Sequence, residues 1–314
     1  MEKKCFVALL MVVVMMCACW TGVLAEDVER EAFTSGDYQY ALLDDGTVEI
    51  TRYSGNAEKL TIPDTLDGKK VTAIGGSAFF DCDSLTSVTI PDFVTQIGAN
   101  PFAHCPALKT IFVFPDHPYF ATIDGVLFRK ADKTLISYPA GKSSSAYTIP
   151  QGITSIGDSA FDSCVSLTSV TIPDSVTSIG NIAFSFCTSL TSISIPDSVT
   201  SIGDGAFYAC YSLTIITIPD SVTSIGDWAF SSCTSLTSIT IPDSVTFIGD
   251  SAFDFCESLT SVSIPDSVTF IGDNAFSGCP NLILTVPRNS YALEYAKTNN
   301  IPYTYPDAND WLNN

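Results

Sequence analysis

The sequence contains very few basic residues, and their distribution limits what the protein can bind. Of 314 residues, 14 are Lys or Arg and 2 are His, against 34 Asp and Glu. Between Ser143 and Pro287 there is no Lys, Arg or His, while 13 acidic side chains occur there. Contacts to phosphate need Lys and Arg, so this composition disfavours nucleic acid and anionic membrane surfaces as partners. The shortage of histidine also removes the usual residue of acid-base and metal chemistry.

After the N-terminus the chain has no apolar run long enough to span a bilayer. Residues 1–25 combine two early lysines, an apolar run over residues 6–20 and the small residue Ala25, which together predict a cleaved secretory signal. The alternative is a lipoprotein signal with the lipid on Cys19, but methionine fits poorly three residues before it. We therefore expect a secreted or cell-surface protein, with anchoring at Cys19 left open.

A repeat of 23 residues dominates the rest of the chain. The pair Ile-Pro recurs at this spacing, with isoleucines at Ile149, Ile172, Ile195, Ile218, Ile241 and Ile264. One cysteine marks each of eight copies: Cys82, Cys105, Cys164, Cys187, Cys210, Cys233, Cys256 and Cys279. A fixed period of this size is typical of a solenoid, in which each copy is stabilised by its neighbours.

The pattern within one copy predicts its local structure. Residues 167–172 follow the pattern L-x-x-L-x-L, and their last three residues alternate as a strand does. Residues 176–179 form a second extended piece, and Gly180 permits a turn. Residues 183–187 have apolar positions at helical spacing, which predicts a short helical corner. The aspartate that follows the glycine in most copies suits a helix N-cap: Asp158, Asp204, Asp227, Asp250 and Asp273. We therefore predict an α/β repeat solenoid with a parallel β-sheet in which Phe161, Phe184 and Phe207 stack.

Departures from the repeat predict caps and an insertion. Residues 26–60 form an N-terminal cap with a β-hairpin at 38–53, and residues 288–314 form a C-terminal cap and tail with a helix from Tyr291 to Thr298. The solenoid covers residues 61–287, with an insertion at about 114–148. Turn residues inside this insertion predict three antiparallel strands, at 120–123, 126–129 and 134–138. These strands replace the usual corner.

The repeated unit resembles that of the BspA-like bacterial leucine-rich repeat proteins. The resemblance depends on the pattern I-P-D-S-V-T-S-I-G-D-x-A-F-x-x-C-x-S-L-T-S-V-T, nearly intact from Gln151 to Ile264, and on the segment Ile123 to Phe128. It implies a leucine-rich repeat fold and a secreted or surface protein that binds macromolecules of a host matrix or of neighbouring cells. It implies no catalytic activity. Such motifs specify the core rather than the binding surface, so they do not identify the ligand.

Two sets of residues have both structural and functional interpretations. Eight cysteines in an exported protein suggest disulfides, but parallel stacking keeps neighbouring side chains about 4.8 Å apart, so we favour a ladder of buried thiols. The aspartates after glycine, and a second set after proline, are candidates for calcium binding. We favour turn and capping roles for them, and expect no cofactor or metal. The second set is Asp174, Asp197, Asp220, Asp243 and Asp266.

The sharpest functional signal lies where copies differ from one another. At positions where sister copies carry small or polar residues, some copies carry large apolar ones: Ile182, Phe186, Tyr208, Tyr211, Trp228, Phe247, Phe255 and Phe270. Aromatic anchors are a principal source of interface energy, so these residues are candidate partner contacts.

Function follows as a hypothesis with two rivals. We expect a non-enzymatic adhesion or interaction protein whose repeat surface binds a protein or glycan on host matrix or other cells, and which has no transmembrane segment. One rival is a structural spacer or self-assembling surface component. The other is a hydrolase with a site in the insertion around Asp116, His117 and Tyr119, although no spacing there indicates a catalytic triad.

Overall fold

Parallel pairing between successive repeats builds the molecule. The computed structural model describes residues 30–306. Strand residues pair with partners 23 positions later, as Ser155 does with Ser178 and Val170 does with Ile193. Phe184 and Phe207 stack with their ring centroids 5.3 Å apart. The predicted solenoid of 23-residue coils is therefore confirmed.

Each regular coil contributes two short strands, one to each of two sheet systems. The second strands, with the insertion, form a nine-stranded sheet of β10 (Phe120–Ile123), β11 (Val126–Arg129), β12 (Thr134–Ser137), β14 (Ser155–Ile156), β16 (Ser178–Ile179), β18 (Ser201–Ile202), β20 (Ser224–Ile225), β22 (Phe247–Ile248) and β24 (Phe270–Ile271). The first strands form two four-stranded sheets, β13 (Ala146–Thr148), β15 (Ser169–Thr171), β17 (Ser192–Ser194) and β19 (Ile215–Thr217), then β21 (Ser238–Thr240), β23 (Ser261–Ser263), β25 (Ile283–Thr285) and β26 (Tyr303–Thr304).

The N-terminal coils have sheets of their own. A six-stranded sheet contains β1 (Ala32–Ser35), β2 (Tyr38–Leu42), β3 (Val48–Tyr53), β5 (Thr65–Leu66), β6 (Lys69–Ile74) and β8 (Gln96–Ile97). A three-stranded sheet contains β4 (Lys59–Thr61), β7 (Ser87–Ile90) and β9 (Thr110–Val113). Strands β2 and β3 pair antiparallel, so the hairpin expected at 38–53 is present.

The corner that follows each second strand is not helical, which corrects our expectation. In one coil Ser159 and Ser163 have left-handed φ angles of 56° and 58°, which interrupt any right-handed helix. The amides of Ser159, Phe161 and Ser163 donate to carbonyls of the next coil, each at 2.8 Å. An α-helix would need those amides for bonds within its own segment. The corner is therefore a series of turns, and the architecture is a β-solenoid rather than an α/β fold.

The glycine after each second strand is needed for close approach between coils rather than for a turn. A Cβ atom on Gly226 would lie 2.5 Å from Oδ1 and 2.7 Å from the amide nitrogen of Asp204. Its φ lies outside the left-handed region, so the neighbouring coil alone excludes a side chain. The same contact recurs at Gly249, where the nearest atom is Oδ1 of Asp227 at 2.4 Å.

The aspartates after these glycines join coils instead of capping helices. Oδ1 of Asp204 accepts a hydrogen bond from the amide of Asp227 at 2.9 Å. Asp227 accepts from Asp250 and Asp250 accepts from Asp273 in the same way. The predicted N-cap role is therefore wrong, because the acceptor serves a backbone amide of the next coil.

The core is a column of identical side chains. Six phenylalanines stack nearly parallel with centroids 4.8 to 5.4 Å apart: Phe161, Phe184, Phe207, Phe230, Phe253 and Phe276. Beside them the five cysteine thiols from Cys187 to Cys279 donate to phenylalanine carbonyls, as Cys210 does to Phe184 at 3.2 Å, whereas Cys164 donates to the carbonyl of Tyr138. Within residues 30–306 the eight cysteines are free thiols, as the ladder predicts. Burial raises the pKa of Cys233 to about 12, so this thiol stays protonated.

The insertion forms the predicted antiparallel meander and divides the core in two. Strand β11 pairs with β10 and with β12, and β12 then runs parallel to β14. Leu127 and Ile136 pack into the N-terminal core, whereas Val126, Phe128 and Leu135 pack into the C-terminal core. Residues buried on both faces make the meander a partition across the solenoid.

The C-terminal end closes the stack with a helix. Helix α1 (Tyr291–Thr298) begins after Ser290, whose Oγ accepts from the amide of Leu293 at 3.1 Å. Its residues Ala292, Leu293 and Ala296 are buried. Strand β26 then pairs with β25. Residues 1–25, with the predicted signal and Cys19, lie outside the described residues.

Candidate functional site

The eight candidate contact residues divide by exposure and by position. Tyr211, Phe247, Phe255 and Phe270 are exposed, with 38%, 39%, 53% and 42% of their surface accessible. The other four, Ile182, Phe186, Tyr208 and Trp228, are half-buried. Phe247 and Phe270 belong to the nine-stranded sheet, and the remaining six lie in or just after the corners. We therefore treat them as two clusters, one on the sheet and one distributed along the corners of successive coils.

The first cluster is an aromatic ladder, which we define as Phe247, Phe270 and Tyr291. Phe247 and Phe270 are paired strand residues, and their rings stack with centroids 5.0 Å apart and planes 5° apart. Tyr291, at the start of α1, continues the stack with its centroid 6.4 Å from that of Phe270. The preceding coils place serine in this column, where the Oγ atoms of Ser155 and Ser178 lie 2.8 Å apart. Three large rings thus replace a row of small hydroxyls at the C-terminal end of the sheet.

An aspartate row runs beside the ladder; we define it as Asp204, Asp227, Asp250 and Asp273. Burial raises the pKa of Asp204, the amide of Asp227 lowers it, and the negative charges of Asp227 and Asp158 raise it again. The pKa of Asp227 is raised by burial and by the charge of Asp250, against the lowering effect of the Asp250 amide. Asp204 and Asp227 therefore lie in the field of neighbouring carboxylates. Within residues 30–306 no three His, Cys, Asp or Glu side chains are arranged to hold a metal ion.

The second cluster contains large side chains in strained backbone positions. Ile182 and Trp228 share one corner column with φ angles of 57° and 51°, and Phe186 and Phe255 share the next, both at 54°. Left-handed φ is unfavourable for β-branched and bulky residues. Other coils place small or polar residues in these two columns: Ser159, Gly205, Ser251, Asn274, Ser163, Ala209, Ser232 and Gly278. Strain kept at specific positions is a recognised feature of functional surfaces.

Aromatic contacts connect the corners of different coils across the insertion. The ring of His104 lies 5.1 Å from Phe80 and 5.6 Å from Phe186, and Phe186 lies 5.4 Å from Tyr208. Below this row Nε2 of His104 lies 3.6 Å from Oδ2 of the buried Asp162. Burial raises the pKa of Asp162 to about 7. Phe186 and Tyr208 therefore form part of a continuous aromatic row.

The structure also exposes apolar residues that our sequence reasoning missed. Phe112 and Phe114 are 46% and 48% exposed beside the insertion, and their rings meet edge to face at 5.4 Å. Ile215, at 59%, is the most exposed of the large apolar residues found at the surface. Phe112 stands where Thr89 and Thr171 stand in other coils. Comparing outward columns in the first strand, as we did for the corners, would have found it.

A polar cleft lies where the two large sheets meet at the insertion. It has a volume of about 300 Å³, and Asn100, Arg129, Thr134 and Asp158 are among its lining residues. Nε of Arg129 is buried without a hydrogen-bond partner, and Oδ1 of Asp132 lies 3.7 Å from it. Neither the repeat pattern nor the cysteine spacing indicated this cleft.

His117 is the central residue of the hydrolase alternative. Its ring is buried and contacts backbone atoms, which gives it a structural role. Its Nδ1 accepts hydrogen bonds from the amides of Tyr119 and Phe120, both at 3.2 Å. Its Nε2 lies 3.2 Å from the carbonyl oxygen of Pro91. Burial lowers the pKa of the ring. Nδ1 thus holds the backbone at the start of β10, and Nε2 contacts the residue that follows β7.

Comparisons with known proteins identify the repeat. Residues 50–140 and 142–283 match a family model described as BspA type leucine rich repeat region, in six copies. A leucine-rich repeat protein from Eubacterium ventriosum is similar over 78% of this chain and 93% of its own, with 21% identity and a TM-score of 0.57. No curated protein matches.

Two further solved structures are similar to this chain at lower TM-scores. A leucine rich cell surface protein from Faecalibacterium prausnitzii is 28% identical over 85% of this chain and 97% of its own, with a TM-score of 0.34. The pneumococcal vaccine antigen PcpA is 17% identical over 88% and 97%, with a TM-score of 0.45. In the part of this chain that the structure describes, no helix has the length and apolar character needed to cross a bilayer.

Proposed function

Because the chain belongs to the BspA-type leucine-rich repeat family, we propose that it is an exported, non-enzymatic adhesion or interaction protein. Its repeat surface binds a protein or glycan of a host matrix or of neighbouring cells. The family shows the repeat fold, and the choice of adhesion and of cell-surface location is our inference from the predicted signal and the surface residues. Leucine-rich repeats suit this role because stacked coils present a long, rigid lateral face.

One observation carries the proposal: large apolar side chains occupy solvent-facing columns that sister coils fill with small residues. The aromatic ladder, the exposed Phe255 and the half-buried Trp228 are the main examples. Exposed aromatics of this kind are typical hot spots of interfaces. Two of them also lie at left-handed backbone positions, where folding alone favours the serine or glycine of other coils.

The repeats themselves supply the test variants. Phe247→Ser with Phe270→Ser, and separately Trp228→Ser with Phe255→Ser, restore residues that other coils carry in the same columns. We expect both variants to fold and each cluster that serves the interface to lose about tenfold or more in affinity. The measurement is biolayer interferometry against panels of immobilised matrix proteins and glycans. Ser201→Ala, in the ladder column but distant from the rings, is the matched control.

Two outcomes would contradict the proposal. Wild-type protein that binds nothing on the panels, on epithelial cells or on neighbouring bacteria would remove the adhesive role. Ordered assembly of the purified protein in sedimentation experiments, without any ligand, would favour the structural spacer instead.

A further inference from the structure

The aromatic ladder offers an apolar strip to a partner. Phe247 and Phe270 lie face to face, and Tyr291 stacks on Phe270 at an interplanar angle of 29°. Phe270 therefore lies between two rings, whereas Phe247 is paired on its other side with Ser224, whose side chain is small. Aliphatic and aromatic side chains of a partner can pack against such rings. The charges near the strip then determine which partner fits.

The negative charges that follow the ladder residues in sequence indicate the charge that a partner should carry. Along each coil, Phe247 and Phe270 are followed by a buried isoleucine, by a glycine without side chain, and then by an exposed aspartate, Asp250 or Asp273. Exposed threonines, Thr246 and Thr269, precede the rings, and the first charged side chains that follow the rings in their own coils are carboxylates. The whole stretch from Ser143 to Pro287 contains no basic residue to neutralise them.

Carboxylates of the aspartate row repel one another at Asp204 and Asp227 in the free protein. Repulsion between neighbouring carboxylates contributes to the raised pKa of Asp227 and Asp204. A ligand with positive charge at the spacing of the row relieves that repulsion, and an acidic ligand increases it. Electrostatic complementarity of this kind raises association rates and selects the partner.

We propose that the aromatic ladder, together with Asp250 and Asp273, docks a polypeptide segment of a partner protein in which Lys or Arg alternates with aromatic or aliphatic residues. This inference rests on the proposed function and specifies the chemistry of one of its two clusters. The apolar side chains of the segment pack against the rings, and its cations lie against the aspartate row. The partner surface is therefore basic and apolar at once.

A labelled hexapeptide of alternating Lys and Phe is the direct probe, with binding followed by fluorescence anisotropy on the full chain. Peptides of alternating Glu and Phe, and of alternating Lys and Ser, test the charge and the rings separately. We expect the Lys-Phe peptide to bind and each of the other two to bind at least tenfold more weakly. Raising the salt concentration from 50 to 500 mM should weaken the Lys-Phe complex, because it screens exposed charges.

Two variants assign the binding to this surface. Phe247→Ser with Phe270→Ser should reduce affinity at least tenfold, and Asp250→Asn with Asp273→Asn should reduce both the affinity and its dependence on salt. The second pair is a close match to the native contact, because Asn181 occupies the same column and its Oδ1 accepts from the amide of Asp204 at 2.9 Å. Circular dichroism and a thermal melt confirm that each variant is folded.

Several results would overturn the inference. These are equal affinity for the Glu-Phe peptide, unchanged binding by both variants, or a wild-type dimer that the Phe247→Ser and Phe270→Ser pair dissociates, which would make a second copy the occupant. The experiments also distinguish failure of this inference from failure of the proposed function. If the wild type binds a matrix protein or glycan through Trp228 and Phe255 but ignores the Lys-Phe peptide, the adhesive function stands and this inference is wrong.

Discussion

Ile182 shows at the residue scale how one coil departs from the repeat. A β-branched side chain at a φ of 57° crowds its own backbone, at a cost of roughly 1 to 2 kcal/mol. Asn274 occupies the same column in another coil at a φ of 56°, and asparagine tolerates this region. We therefore expect Ile182→Asn to raise the free energy of unfolding by about 1 kcal/mol, despite the loss of some apolar contact. Urea denaturation measures the change.

Ser159→Asn is the control for that experiment. It lies in the same column without a branched side chain, so its free energy of unfolding should change little. A marked loss of stability in the Ile182 variant alone would show that packing, rather than backbone strain, decides this position.

Asp162 makes stability depend on pH. Burial raises its folded-state pKa to about 7, against about 3.9 in an unfolded chain. The folded protein therefore holds an extra proton between these values, so this residue stabilises the fold below about pH 4 and its contribution is lost as pH rises towards 7. His104 acts in the opposite direction, because burial lowers its pKa and favours the fold at higher pH.

The variant Asp162→Ser isolates the carboxyl, since Ser185 occupies the next position in that column. Subtracting the stability of this variant from that of the wild type should give a difference that falls by up to about 1.4 kcal/mol per pH unit between pH 4 and 7. Chemical denaturation at a series of pH values measures it. Parallel curves for the two proteins would contradict the assignment.

The glycine that follows each second strand determines, at the element scale, how closely coils can approach. A methyl group on Gly226 would overlap the backbone and carboxylate of Asp204, and backbone cannot move aside as a flexible side chain can. We expect Gly226→Ala to cost several kcal/mol, in the range of severe core substitutions. A thermal melt compared with Ser224→Ala, two residues earlier and directed outward, provides the measurement. Equal melting temperatures would show that the coils separate to accept the methyl group.

The strands and the corners differ in how far sequence predicts them. The strand that contains Val170 and the register that pairs it with Ile193 follow from alternation and from a fixed period, which are both local patterns. The corner was mispredicted because Ala183, Phe184 and Cys187 have helical spacing. Their amides and those of their neighbours divide between the coil itself and the next coil. Hydrogen bonds between coils are tertiary contacts, and spacing within one coil contains no information about them.

At the scale of the whole molecule, the meander separates two hydrophobic cores, and we expect the stability of each core to depend mainly on its own residues. Phe207 belongs to the C-terminal core and Phe79 to the N-terminal one. We expect Phe207→Ala to cost about 3 to 5 kcal/mol through the cavity it leaves. Hydrogen exchange should then accelerate across residues 150–290 and remain nearly unchanged across residues 40–110, because stability is local in a solenoid.

Phe79→Ala should give the reverse pattern of hydrogen exchange. Equal acceleration in both halves, for either variant, would show that the meander couples the cores into one cooperative unit.

The sequence indicated only some of the exposed apolar residues. Differences between sister copies indicated Phe247 and Phe270, because a periodic sequence makes each outward column visible. They did not indicate Tyr291, which joins the ladder only because α1 packs against the end of the sheet. Phe112 was overlooked although its column carries the same kind of signal.

A chain with a 23-residue period and identical apolar positions contains enough information to define parallel stacking, the phenylalanine and thiol columns and the place of the insertion. These features depend on which side chains repeat, and repetition is visible in one dimension. The shape of the corners, the close contact at each glycine and the meeting of rings with carboxylates depend on how one coil lies against the next. Backbone amides of a corner have partners both in their own coil and across the gap, and only the packed stack decides between them.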